Sequence, residues 1–230
     1  MISQAHALAK IGLSVELKQI FTSVEAHSCP NIYNFHLHSI NSDGKMQVED
    51  IVNQAIELGM SHLAITDHHT VAGYRIAKQL LDAKQSDRPD QVLPKLWVGV
   101  EINASLMFTE VHILAYGFDP DHAAMQVYLQ GKTTAGIDYQ AINVINAIHQ
   151  AGGLAVLAHP VRYRRSAEDL IPVAANLGID GVETYYSYDN CFPWRPSPVQ
   201  TENVRRLGDR YGLLHTCGTD SHGLKITKRI

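Results

Sequence analysis

The sequence predicts an α/β protein in which seven short, mostly parallel strands close into a barrel behind a helical leader. Short apolar runs alternate with stretches whose apolar residues recur at helical spacing, the pattern of strands linked by crossover helices. Histidines and carboxylates gather just past the apolar runs, at the rim where a barrel collects its functional groups. One connection, from Asn103 to Glu110, is too short for a crossover helix, so the strands it joins must run antiparallel.

Taken in order, residues 4 to 26 are helical in character, with Leu13, Leu17, Ile20, Phe21 and Val24 on one face and Gly12 as a break. The leader, residues 1–30, is expected to pack on the barrel of residues 31–230, in the place over the last strand where no helix follows. Ile32 to His36 is the first strand. Val48, Ile51, Val52, Ala55 and Ile56 trace a helix that Gly59 stops. Leu63 to Ile65 is the second strand, and residues 71 to 83 form the next helix. Leu96 to Val100 and Val111 to Tyr116 make the antiparallel pair, which brings His112 to the rim that holds Glu101. A helix over 138–151 closes at Gly152-Gly153 and leads into the strand Leu154 to Ala158. Ser166 can cap a further helix, although Pro172 argues against one. Ile179 to Glu183 is the sixth strand, Ser197-Pro198 opens the last helix, and Leu213 to Gly218 is the seventh strand.

A net charge of -4 and a pI near 6.3 argue against a broad basic face, so tight binding of duplex DNA is not expected. Cys29, Cys191 and Cys217 are odd in number and far apart, which reads as reduced thiols in a cytoplasmic protein. No apolar run approaches the length of a membrane span.

Thirteen histidines are the compositional oddity. His36 and His38 follow a β-type run at alternate positions, so their imidazoles face the same way and can share a metal ion. The later runs deliver Thr66-Asp67-His68-His69, Glu101, His112, His159-Pro160 and Thr219-Asp220-Ser221-His222. With Ser42-Asp43-Gly44, these motifs resemble, in order and spacing from about residue 33 to 224, those of the PHP (polymerase and histidinol phosphatase) superfamily. The resemblance implies a distorted seven-stranded (β/α)7 barrel and a metal-dependent phosphoesterase with two or three divalent ions.

Carried onto this chain, the resemblance implies one metal position at His36, His38, Glu101 and Asp220. A second would share Glu101 with His112 and His159, and a third would use Asp43, His68 and His222. Mixed imidazole and carboxylate ligands suit Mn, Fe or Zn. Three divalent ions carry twice the charge that Asp43, Glu101 and Asp220 return, an excess that fits an anionic phosphoryl group. The attacking group would be a metal-bridging hydroxide, with Asp67 orienting a ligand or relaying a proton. Arg162, Arg195 and His69 are the candidate substrate contacts, Arg164 and Arg165 read as solvent-facing, and Trp194 is expected to pin its loop. The expected substrate is a nucleotide, a short oligonucleotide or another small phosphorylated metabolite. Histidinol phosphatase and a non-catalytic, polymerase-associated binding module are the alternatives. An amidohydrolase is disfavoured because the fourth strand offers His112 and no lysine.

Overall fold

The apolar runs become strands in the computed structural model, which describes residues 14–230 and arranges a seven-stranded sheet in sequential order. The strands are β1 (Tyr33–Asn34), β2 (His62–Ile65), β3 (Lys95–Leu106), β4 (Thr109–Tyr116), β5 (Leu154–Leu157), β6 (Gly181–Tyr185) and β7 (Leu214–Cys217). The helices are α1 (14–22), α2 (Val48–Glu57), α3 (Ala72–Asp87), α4 (Ala141–Gln150), α5 (Ala167–Asn176) and α6 (Pro198–Arg210). Of the expected leader helix, the part before residue 14, with Gly12 and Leu13, lies outside the described residues.

β4 runs antiparallel to β3 and β5, and the other neighbours are parallel. β3 continues past the expected Val100 because Ile102, Ala104 and Leu106 keep the alternation going, and the chain turns at Met107-Phe108. The barrel closes where Phe35 N donates to Cys217 O at 3.1 Å, Asp220 N to His36 O at 2.9 Å and His38 N to Ser221 O at 3.1 Å. β1 is shorter than expected because Phe35 and His36, adjacent in sequence, both turn inward and break the alternation.

α5 forms in spite of Pro172. The missing donor falls opposite the exposed Glu168 near the helix start, and Ser166 Oγ accepts from Asp169 N at 3.2 Å as the cap. The outer faces of the strands pack on the helices, with Val100, Ile102 and Val182 meeting α4 to α6, and Leu63 and Ile65 meeting α2 and α3.

A third apolar cluster takes residues from every strand or its end, including Phe35, Ala64, Trp97, Tyr116, Val156, Tyr185 and Cys217, so it lies inside the barrel. Leu17, Phe21 and Val24 of the leader join it. Phe21 sets its ring edge against Phe35 at 5.1 Å and Tyr116 at 5.5 Å. Lys95 at the start of β3 pairs with Glu16 at 2.5 Å. Because β3 begins and antiparallel β4 ends at this rim, α1 lies across the lower mouth. The described part of the leader therefore lies at this mouth rather than over the last strand, where it was expected. The lower mouth offers it an apolar surface that includes Trp97 and Tyr116. The tail runs beside α2 and β1 instead, with Ile226 N donating to Gln54 Oε1 at 3.1 Å and Asn34 Nδ2 donating to Ile226 O at 2.9 Å.

Candidate metal centre

At the upper rim the chain ends of β1, β2, β5 and β7 converge on Glu101 in the middle of β3 and His112 in the first half of β4. His36 and His38 face inward at alternate positions while Leu37 between them packs outward beside α2. The loop carrying Asp43 is held from below. Asp67 Oδ1 accepts from Ser39 N at 2.7 Å and Ser42 Oγ at 2.8 Å, and its Oδ2 accepts from Ser39 Oγ at 2.7 Å. α3 can approach this carboxylate only because residue 73 is glycine, where a Cβ would lie 2.2 Å from Asp67 Oδ2. Asp67 thus positions the Asp43 loop and joins none of the groups that could hold a metal.

Three such groups occur among the described residues. In the first, His36 Nε2 and His38 Nε2 lie 3.1 Å apart, each is 3.0 Å from Glu101 Oε2, and Asp220 Oδ1 is 3.4 and 3.3 Å from them. The second comprises His38, Asp43, His68 and His222, with His222 Nε2 at 3.1 Å and His68 Nε2 at 3.7 Å from Asp43 Oδ2. The third joins His68 and His112 to Glu101, with His112 Nδ1 2.7 Å from Glu101 Oε1. His159 Nε2 approaches the same Oε1 to 3.2 Å. The nine residues implied by the resemblance lie close together, but the groups differ from the implied sets: His38 joins the Asp43 group, His68 takes part in two groups, and His159 stands beside Glu101 in none of the three.

The donor chemistry fits a cation. His36 Nδ1 bonds Glu183 Oε1 at 2.9 Å, which places its proton there and leaves the Nε2 lone pair facing Glu101 and His38. Lone pairs so converged repel one another unless a positive charge lies between them. The buried Nδ1 atoms of His68 and His159 have no hydrogen-bond partner. In the metal-free protein a proton can supply that positive charge: burial works to lower the His36 pKa, yet Glu183, Glu101 and Asp220 outweigh it and push it up to about 10. Burial works to raise Glu101 and Asp220, but His36 and the neighbouring histidines hold both well below the usual carboxylate range. Burial brings His68 down to about 4, and the neighbouring His38 and His112 act the same way.

Several partners escaped sequence reasoning. Glu183 is fully buried and joins His36 to the backbone of His159, whose N donates to Glu183 Oε2 at 2.9 Å. Its signal was a carboxylate inside an otherwise uncharged, wholly buried strand, which must find partners there. Asp220 Oδ2, turned away from the histidines, accepts from Tyr186 OH at 2.7 Å, Arg229 Nε at 2.9 Å and Arg162 Nη1 at 3.0 Å. Arg229 stands in the tail, outside every motif. His159 and Asp220 take left-handed backbone conformations, with φ of 25° and 52°, strain of the kind that functional sites retain.

Among the proposed substrate contacts, Arg162 reaches the centre and remains 39% exposed. His69 is 2% exposed, its Nε2 accepting from Asn103 N at 3.2 Å and its Nδ1 3.3 Å from Tyr128 O, so it is built into the wall. It borders a cavity of about 420 Å3 shared with Asp43, His68, His112 and Lys132. Arg195 is exposed and joins none of the groups, because its neighbour Trp194 packs into the lower interior and pins that loop there.

Comparison with known proteins agrees with this architecture. The family model described as the PHP domain matches residues 34–178. The 5'-3' exoribonuclease Rnm of Salmonella typhimurium is 34% identical over 102 residues, 44% of this chain. The chain spans only 33% of that protein's length and 40% of that of the Haemophilus influenzae 5'-3' exoribonuclease. The phosphoribosyl 1,2-cyclic phosphate 1,2-diphosphodiesterase of Eggerthella lenta is 25% identical, with 84% of this chain and 94% of that one covered. Among solved structures, a Bifidobacterium adolescentis protein described as a metal-dependent phosphoesterase superposes with a TM-score of 0.67 at 23% identity, covering 84% of this chain and 89% of its own. A Chromobacterium violaceum amidohydrolase gives the same TM-score at 21% identity, covering 84% of this chain and 88% of its own. These two structures show a shared fold and do not choose between their reactions.

Proposed function

This chain belongs to the PHP family, and on that premise we propose that it is a metal-dependent hydrolase of phosphate esters. The substrate class is a nucleotide, a short oligonucleotide or another small phosphorylated metabolite. Two or three divalent ions, Mn, Fe or Zn, would be held by His36, His38, Asp43, His68, Glu101, His112, His159, Asp220 and His222. When bound, such ions acidify water and offset charge on phosphoryl oxygens.

The observation that carries the reading is Glu101. One oxygen faces His36 and His38 and the other faces His112 and His159, so a single buried carboxylate joins two nitrogen-rich sets. The chain's own residues do the positioning. Glu183 fixes the His36 tautomer, Asp67 holds the Asp43 loop through Ser39 and Ser42, and Tyr186, Arg162 and Arg229 orient Asp220. Arg162 keeps free N–H donors toward solvent for a substrate phosphate. Lys132 lines the adjoining cavity and adds a second cation there.

Metal content of the protein as purified, measured alongside hydrolysis of p-nitrophenyl phosphate and a nucleotide panel with and without added Mn, tests the proposal. Two or three equivalents of metal, with turnover that disappears in His36→Ala, is the expected result. A protein that stays inactive after reconstitution with each of the three metals would overturn it in favour of a binding module.

A further inference from the structure

Beside the metal centre lies a groove of about 550 Å3 lined by Phe108, Glu110, Arg162, Tyr163, Arg164 and Arg165. We propose that this groove holds a single nucleic-acid strand continuing from the scissile phosphate, with Phe108 stacking on a base and Arg164 and Arg165 meeting backbone phosphates. The proposal rests on the phosphoesterase reading and narrows its substrate to single-stranded oligonucleotides.

Phe108 is the first observation. It is 102% exposed at the tip of the β3–β4 hairpin. It and Met107 hold φ of 58° and 52°, a conformation that disfavours residues with side chains. A hairpin that needed only to turn would be served by Asn-Gly. The turn is also fixed in place, since Arg165 Nε donates to Met107 O at 2.9 Å and ties the aromatic tip to the arginine loop.

Charge is the second. Three guanidiniums face the groove against one carboxylate, Glu110, whose Oε2 is engaged by Tyr139 OH at 2.5 Å. In a chain of net charge -4 this is a local cationic strip. A strip of guanidiniums beside an exposed aromatic face matches a phosphate backbone with planar bases, and a single strand is what leaves those bases free to stack.

Continuity with the metal centre is the third. Arg162 lines the groove and also reaches Asp220 Oδ2 at 3.0 Å. Tyr163 forms the shared wall, its OH accepting from His112 N at 2.7 Å and donating to Ala158 O at 3.2 Å. A strand leaving the metal centre past Tyr163 would enter the groove directly.

The test uses the full chain in its metal-loaded form with a fluorescein-labelled oligo-adenylate carrying phosphorothioate linkages, which resist cleavage. Fluorescence anisotropy should show binding weakened roughly tenfold in Phe108→Ala and restored in Phe108→Trp. Arg164→Ala should lower the slope of log affinity against log salt by about 0.7. Turnover of p-nitrophenyl phosphate, which has no strand to place, should stay unchanged in both variants. Unchanged oligonucleotide binding in Phe108→Ala, or an equal loss on p-nitrophenyl phosphate, overturns the groove assignment. Wild-type protein that binds the strand through Phe108 yet hydrolyses no phosphate ester overturns the phosphoesterase reading and leaves the groove standing.

Discussion

Along the inner face of β4, His112 meets Glu101 at the upper rim, whereas Tyr116 further down the same face meets Phe21 of the leader. β3 repeats the contrast, with Glu101 above and Trp97 below. One end of the barrel interior is thus filled with histidines and carboxylates, and the other with aromatic and aliphatic side chains. The lower end follows the ordinary logic of a core, in which apolar area removed from water stabilises the fold. The upper end opposes that logic, since groups buried and charged cost stability unless something compensates them. The apolar plug below offsets what the site above costs.

If this division is right, substitutions at the two ends should separate activity from stability. Glu101→Gln is the largest expected effect. Turnover should fall about ten-thousandfold, on the order of 5 kcal/mol of transition-state stabilisation, together with metal content. Activity surviving within tenfold would show that the two nitrogen-rich sets act independently. Phe21→Ala is the converse. It should cost about 4 kcal/mol of unfolding free energy in denaturant titration. Turnover per folded molecule should be unchanged at low temperature. A variant as stable as the parent would remove the leader from the account of how the barrel is closed.

Glu183→Gln probes the boundary between the ends. The amide keeps the shape and can still accept from His159 N, but it no longer offers charge to His36 Nδ1. Metal affinity should fall ten- to a hundredfold, read from competition with a chelator, roughly the loss expected for a partner that orients a ligand. An affinity unchanged within twofold would mean that Glu183 serves packing alone.

What the sequence revealed follows the same division. The upper rim was legible because metal-type ligands fall at fixed offsets from strand ends, and because a connection too short to cross over had to reverse β4 and carry His112 to Glu101. Glu183, Tyr186 and Arg229 were not, since residues that hold ligands are specified by three-dimensional contact and carry no spacing rule. The lower mouth was the harder part. Periodicity marked the apolar stripe of the leader but could not say which apolar surface it would meet, and Phe21 in its described part lies against Phe35 and Tyr116. Pro172 misled for a local reason, because its missing hydrogen bond costs little opposite the exposed Glu168.

Acidity should also separate the two ends, with opposite signs. At the upper rim Asp43, Glu101 and Asp220 have depressed pKa values, in each case because histidine partners outweigh burial. What they contribute is present above the unfolded carboxylate range and is lost as pH falls through their folded values. At the lower rim, beside the starts of β5 and β6, His149 Nε2 lies 2.7 Å from Asp180 Oδ2, which also accepts from Ala155 N at 2.9 Å. The hydrogen bond to Asp180 raises the His149 pKa. Its contribution is therefore full below the unfolded value of about 6.5 and fades as pH rises through the folded one. The pair is partly exposed and screened, so His149→Gln should cost no more than about 0.5 kcal/mol. Melting temperatures of parent and variant should differ on the acid side and converge on the alkaline side. A gap that widened toward alkaline pH would show that His149 is held by packing rather than by charge, and would confine pH sensitivity to the metal-binding end.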